Sequence, residues 1–159
     1  MTRVARYVDT AIMAYAVGGE HPLREPCQRW VLAAGSGDVE LHASVEMIQE
    51  FLFHRMRRTD RETAFAQARN ASELCVLHAF DVHVLSRSME LIAASETLGG
   101  RDAVHAATAL VHGLRTIVSP DTAFDGIDGL HRLAPTDDVS EHVTGTPTGR
   151  GSSSTRDDQ

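Results

Sequence analysis

Apolar positions along this chain switch between a period of two and a period near 3.6, and the switches mark the elements. RYVDT reads as a short strand ending in an aspartate, and AIMAYAVG as a short apolar helix that Gly18-Gly19 terminates. Pro22 suits the first turn of a further helix, on which Leu23, Cys27, Trp30, Val31 and Ala34 share a face before Gly35 to Gly37 break it. VELHA alternates as a strand, and Ser44 is a good N-cap for the helix VEMIQEFLFHRMRR. Residues 60–73 predict an exposed, charged helix. LCVLHAF leans toward strand and ends at Asp81, which can cap VHVLSRSMELIAASETL, with Gly99-Gly100 as its C-cap. RDAVHAATALVHG predicts a compact helix whose Ala106, Ala107 and Ala109 allow close packing. RTIVS then reads as a buried strand, PDTAFDGIDG as a turn-rich loop and LHRLAP as a final strand. Residues 1–136 are expected to form one domain, and the polar, aperiodic stretch 137–159 a disordered tail.

Strands alternating with helices predict an α/β domain with a central, mostly parallel sheet flanked by helices. In such sheets ligands bind outside the carboxyl ends of the strands, and several acids can reach that edge. Asp9 ends the first strand, and Asp121 follows RTIVS by one proline. Glu46 and Glu50 stand four apart on one helix and share a face, while Asp102 lies in the first turn of its helix.

Composition narrows the chemistry. The 159 residues contain 15 basic side chains, all arginine, so lysine nucleophiles, Schiff bases and P-loop chemistry are excluded. No apolar run approaches the roughly 18 residues needed to span a bilayer, and the N-terminus lacks a signal-peptide core; a cytoplasmic protein is expected. Cys27 and Cys75 form no C-x-x-C pair and are expected as small buried residues. The net charge of −7 is unusual for a nucleic-acid binder. The tail carries −3 and the body −4, and the body without Asp9, Glu46, Glu50, Asp102, Asp121 and Asp125 is +2. Its acidity then belongs to a site that metal must neutralise before phosphate can bind.

Taken singly, these acids have structural readings. Asp9 can cap the next helix, Asp102 suits a helix dipole, Glu46 lies close to a helix start, and Asp121 sits in a turn. Glu50, within Ile48 to Leu52, is costly without a partner. Together they suit magnesium, which is held by a few carboxylates, substrate phosphates and water. The nine histidines include no H-x-x-x-H and no Cys/His cluster, which argues against zinc. Arg55, Arg57, Arg58 and Arg61 read equally as a solvated helix end or a phosphate-steering patch.

YVDT, ASVEMIQEFLFHR, GGRDAVHAATAL and IVSPDTAFDGIDGLHRLAP occur in an order and spacing that resemble the PIN-domain ribonucleases, in particular the VapC toxins of type II toxin–antitoxin modules. The resemblance covers residues 4–135, and R-D-A-x-H-A-A-T-A-L with a downstream S-x-D-x-x-F-D is its most specific part. It implies a three-layer PIN-like fold and a catalytic set of Asp9, Glu50, Asp102 and Asp121. These acids would also bind metal, with Glu46 as an additional acid. It also implies Mg²⁺ or Mn²⁺ dependence, hydrolysis of structured RNA such as tRNA or rRNA, homodimerisation and a VapB-type antitoxin partner. Two positions depart from the family pattern: Ala11 replaces a supporting asparagine, and Ala123 replaces a loop acid. They favour the alternative of a catalytically weak or inactive PIN-like module that binds RNA or protein. A receiver domain would need a late lysine, and a haloacid-dehalogenase phosphatase an aspartate at position 11.

Overall fold

Every strand expected from the apolar pattern joins one sheet. The structure, a computed structural model, describes residues 3–141. Strands β1 (Val4–Val8), β2 (Val39–Ser44), β3 (Val76–His78), β4 (Thr116–Val118) and β5 (His131–Leu133) pair in the order β3-β2-β1-β4-β5, all parallel. The helices are α1 (Thr10–Val17), α2 (Arg24–Ser36), α3 (Val45–Met56), α4 (Arg61–Leu74), α5 (Val82–Ala93) and α6 (Gly100–Val111), with a 3-10 turn at Thr122–Phe124.

Alternation along the strands divides the core into two layers. Val8, Leu41, Ala43 and Val118 face α1 to α4 and pack with Ile12, Trp30, Met47 and Phe51. Tyr7 and Ile117 point the other way, onto Val84, Ala103, Ala106 and Ala107 of α5 and α6. Ala103, Ala106, Ala107 and Ala109 are fully buried, so the α6 backbone lies close to the sheet and its N-terminal turn is fixed there. Both cysteines are buried and unpaired, and burial pushes each thiol up to about 12.

The caps come from the residues expected to supply them. Asp9 Oδ1 accepts from the Ala11 amide at 3.1 Å, Ser44 Oγ from Met47 at 3.0 Å, and Asp81 Oδ1 from His83 and Val84 at 3.0 Å. Three boundaries differ from expectation. Helix α5 ends at Ala93, because Ser95 Oγ accepts from the Thr97 and Leu98 amides and competes with helical bonding. Gly99 is therefore the N-cap of α6, and Gly100 its first residue, instead of a C-cap to α5. Pro22 lies in the turn before α2, and Pro26 occupies the first helical turn. The packed chain also continues past residue 136: Asp137 accepts from the Ala134 amide, Val139 packs on the first core layer, and Arg6 donates to the Glu141 carbonyl. The rest of the expected tail, 142–159, lies outside the described residues.

Trp30 joins this last segment to the domain. Its ring is fully buried, and its indole N–H donates to the Pro135 carbonyl at 3.0 Å. Trp30→Phe removes that donor and strands a buried carbonyl, which should destabilise the protein by about 1–3 kcal/mol. Urea unfolding followed by circular dichroism tests this, since the substitution deletes the chain's single tryptophan; unchanged stability would contradict it.

Candidate active site

The strand order reverses between β1 and β4, so the chain departs in opposite directions from their carboxyl ends and leaves a crevice. Asp9 is the first residue after β1, and Ser119 the first after β4, with Asp121 two further on. The middle of α3 and the first turns of α6 close the other sides. Asp9, Thr10, Glu50, Arg101, Asp102, His105 and Asp121 thereby border one cavity of about 440 Å³. Four sequence-predicted acids thus share it. Glu46 borders an adjoining recess of about 380 Å³ with Gln49, Phe53 and Val104, the two spaces sharing Glu50, Arg101 and His105 as common walls. Asp125 belongs to neither: Arg132 holds both its oxygens, at 2.7 and 3.1 Å.

Asp9 is only 7% exposed. Burial pushes its carboxyl up to about 6, opposed by a hydrogen bond from Ser119, by the proximity of His105 and by backbone amides. Ser119 Oγ donates to Asp9 Oδ2 and accepts from the Asp121 amide at 3.0 Å. One hydroxyl therefore fixes the spacing between the first and fourth acids.

Glu50 is pulled the opposite way, down to about 2, first by its hydrogen bond with His105, with burial opposing and Thr10 assisting. Thr10 Oγ1 donates to Oε2 at 2.6 Å, and Arg101 donates to Oε1 at 2.9 Å. His105 Nε2 lies 3.4 Å from Oε2, while its Nδ1 lies 2.9 Å from the Tyr7 hydroxyl. Tyr7 Oη in turn accepts from the Ser44 amide at 3.1 Å. With that lone pair taken, the phenolic proton points to His105 Nδ1, which leaves Nε2–H to donate to Glu50. A backbone amide of the α3 N-cap thus orients a carboxylate in the middle of the same helix.

Asp102 is pushed upward by burial, then by repulsion from Asp121 and Glu50. Among the described residues, no group of three or more His, Cys, Asp or Glu side chains is arranged closely enough to hold a metal ion as it stands. The donor chemistry nevertheless fits a hard divalent cation: four carboxylates border one cavity, and their mutual repulsion is relieved by cationic charge.

Several contributors escaped the sequence reading. Ser119, Thr10, Tyr7 and His105 lie within the stretches that carry the family resemblance, yet no role for them could be read there; only the parity of the strands, which turns Tyr7 toward α6, could have suggested the Tyr7–His105 contact. Of the arginine run, Arg55 is buried and donates to Gln67 at 2.8 Å, and Arg57 lies 4.9 Å over the Phe53 ring. His42, His78 and His112 form a stacked row beside β3, away from the cavity, where burial and the other two rings lower His78 to about 4.

The sequence matches the PIN domain over residues 6–130. It is 35% identical over 130 residues to Ribonuclease VapC7 of Mycobacterium tuberculosis, covering 80% of this chain and 90% of that protein. It is 32% identical over 132 residues to Ribonuclease VapC13 of the same organism, covering 80% and 98%. Its fold resembles VapBC2 from Rickettsia felis bound to a promoter DNA fragment, with a TM-score of 0.66, 16% identity and coverage of 82% and 98%. It also resembles Mycobacterium tuberculosis VapC20, a sarcin-ricin loop cleaving toxin, with a TM-score of 0.59, 18% identity and coverage of 76% and 90%. The chain belongs to the PIN-domain family and, within it, to the VapC ribonucleases.

The Asp9 shift has a stability consequence in metal-free protein. Its raised pKa means that the native state holds a proton the unfolded chain releases, so stability falls as pH rises from about 4 to 6 and stays lowered above that. Asp9→Asn keeps a good N-cap and removes the buried charge. In the presence of a chelator it should stabilise the protein by about 2–3 kcal/mol at pH 7.5, with no gain at pH 4. Urea titrations at the two pH values decide it, and a loss of stability at pH 7.5 would contradict the assignment.

Proposed function

We propose that this protein is a divalent-metal-dependent endoribonuclease and the toxin of a toxin–antitoxin pair, working with Mg²⁺, or Mn²⁺ in its place. The observation that carries this reading is the meeting of Asp9, Glu50, Asp102 and Asp121, from four separate segments, at one cavity at the sheet's switch point. Asp9, Asp102 and Asp121 would hold the metal together with Glu50; Glu46, expected as an additional ligand, borders the adjoining recess. A cation bound there supplies an activated water and neutralises charge on the phosphodiester.

The chain's own groups prepare that chemistry. Ser119 and the Ala11 amide fix the two oxygens of Asp9, and Thr10 with His105 fixes Oε2 of Glu50. Arg101, 81% exposed in its side chain, stands beside Glu50 and would be free to turn to a substrate phosphate. The second reading is a catalytically weak or inactive PIN-like module that binds RNA or protein. It is favoured by the way Glu50 is already satisfied by Arg101, Thr10 and His105.

The proposed partners have surfaces to match. The structural neighbours include toxin–antitoxin complexes, and an apolar groove of about 900 Å³, bordered by Met13, Val17, Val31, Leu32 and Leu74, suits an amphipathic antitoxin helix. A homodimer is supported by Val82, Leu85, Met89 and Ile92, an exposed apolar stripe at helical spacing along α5. The substrate is proposed to be structured RNA, tRNA or rRNA, met in the cytoplasm. Among the described residues no helix is long and apolar enough to cross a membrane.

Purified protein incubated with total RNA should cut it at discrete sites with Mg²⁺ or Mn²⁺ and not with chelator. Asp102→Asn should slow cleavage on the order of a hundredfold or more, since a lost ligand outweighs the 10–100-fold effects of supporting groups. RNA left intact by the wild type with both metals would overturn the nuclease reading.

A further inference from the structure

We propose that the recess beside the carboxylate cavity is a base-recognition subsite that takes a guanine of the RNA, with Glu46 reading its pairing edge. The inference rests on the nuclease reading for the identity of the ligand polymer, but its chemistry comes from the recess itself. Glu46, Gln49 and Phe53 enter it from α3 and Val104 from α6, while Glu50, Arg101 and His105 form the wall shared with the carboxylate cavity. A nucleotide whose phosphate lies at that cavity therefore has its base within reach of the recess. The volume of about 380 Å³ falls in the range of small-ligand sites.

Two features suit a base in particular. Phe53 is 52% exposed, and Arg57 lies 4.9 Å from its ring centroid. An aromatic ring backed by a guanidinium is a stacking platform for a planar base, worth about tenfold or more in affinity. The second feature is Glu46, whose Oε2 is buried and has no hydrogen-bond partner among the described residues. An acceptor left in that condition gains by turning into the recess to meet a donor there.

The donor pattern selects the base. A carboxylate offers two acceptors side by side and no donor. Guanine presents two adjacent donors on its pairing edge, N1–H and the N2 amino group. Adenine, cytosine and uracil each place an acceptor next to their donor, which would face a carboxylate oxygen. Gln49, one turn further along α3, carries an amide that can donate to guanine O6. Arg101, on the shared wall, supplies the cation for the adjoining phosphate.

The test uses the full chain in chelator, so that neither metal nor cleavage enters, and measures binding of guanosine, inosine and adenosine by NMR titration. Inosine keeps N1–H and lacks the 2-amino group. Guanosine should bind about tenfold tighter than adenosine, with inosine between them. Glu46→Gln should abolish the guanosine preference, and Phe53→Leu should weaken all three nucleosides together. Equal binding of the three by the wild type, or a preference that survives Glu46→Gln, overturns the proposal whether or not RNA is cut. Should Phe53→Leu change the oligomeric state and leave nucleoside binding alone, the recess is an interface with a second copy and the proposal also fails. Loss of RNA cleavage alone would count against the nuclease reading and leave the guanosine result standing.

Discussion

The placement of Asp9 is the constraint on which the rest of the site depends. It sits at the end of the central strand, nearly excluded from water, where an ionised carboxylate is costly. Ser119 at the end of β4 and the Ala11 amide at the start of α1 reduce that cost without removing it, and the carboxyl remains shifted to about 6. The same contacts determine geometry. Because Ser119 also accepts from the Asp121 amide, the junction of β1 and β4 sets the first and fourth acids at a fixed separation. A destabilised carboxylate in a defined position is what a metal site requires, since cation binding then recovers energy that folding left unspent.

Glu50 and Asp102 show the same principle from opposite sides. Asp102 is raised by burial and by two neighbouring carboxylates, so it too gains from added positive charge. Glu50 is lowered by an internal set of partners, ending in a line from the Ser44 amide through Tyr7 and His105. That line holds Oε2 while Arg101 holds Oε1, so both oxygens of Glu50 are fixed by the chain itself. Arg101 is largely exposed, so it could leave Glu50 without disturbing the packing around it.

Much of this was legible in the sequence, for identifiable reasons. The acids could be placed at one sheet edge because they follow strands or open helices, and the parallel topology brings such positions together. Asp9, Ser44 and Asp81 were recognisable as caps from residue type and position. Asp125 entered only the charge count, and its pairing with Arg132 on a later strand has no local sign in the sequence. Ser95 ending α5 early, and the consequent switch of Gly99 to an N-cap, depended on a side-chain bond that competes with helical bonding. The Tyr7–His105–Glu50 line joins three elements distant in sequence and required the β1 parity and the α6 packing to be known together. Glu46 and Glu50 share a helix face and both border the recess, but only Glu50 also borders the carboxylate cavity.

The central claim is that the four carboxylates form one divalent-cation site. Anomalous scattering from crystals of the wild-type protein grown with Mn²⁺ tests it most directly. The account predicts a peak within coordination distance, about 2.0–2.3 Å, of carboxylate oxygens from Asp9 and Asp102, with Arg101 displaced from Glu50. A cavity without a peak at saturating Mn²⁺, or manganese bound only elsewhere, would contradict it.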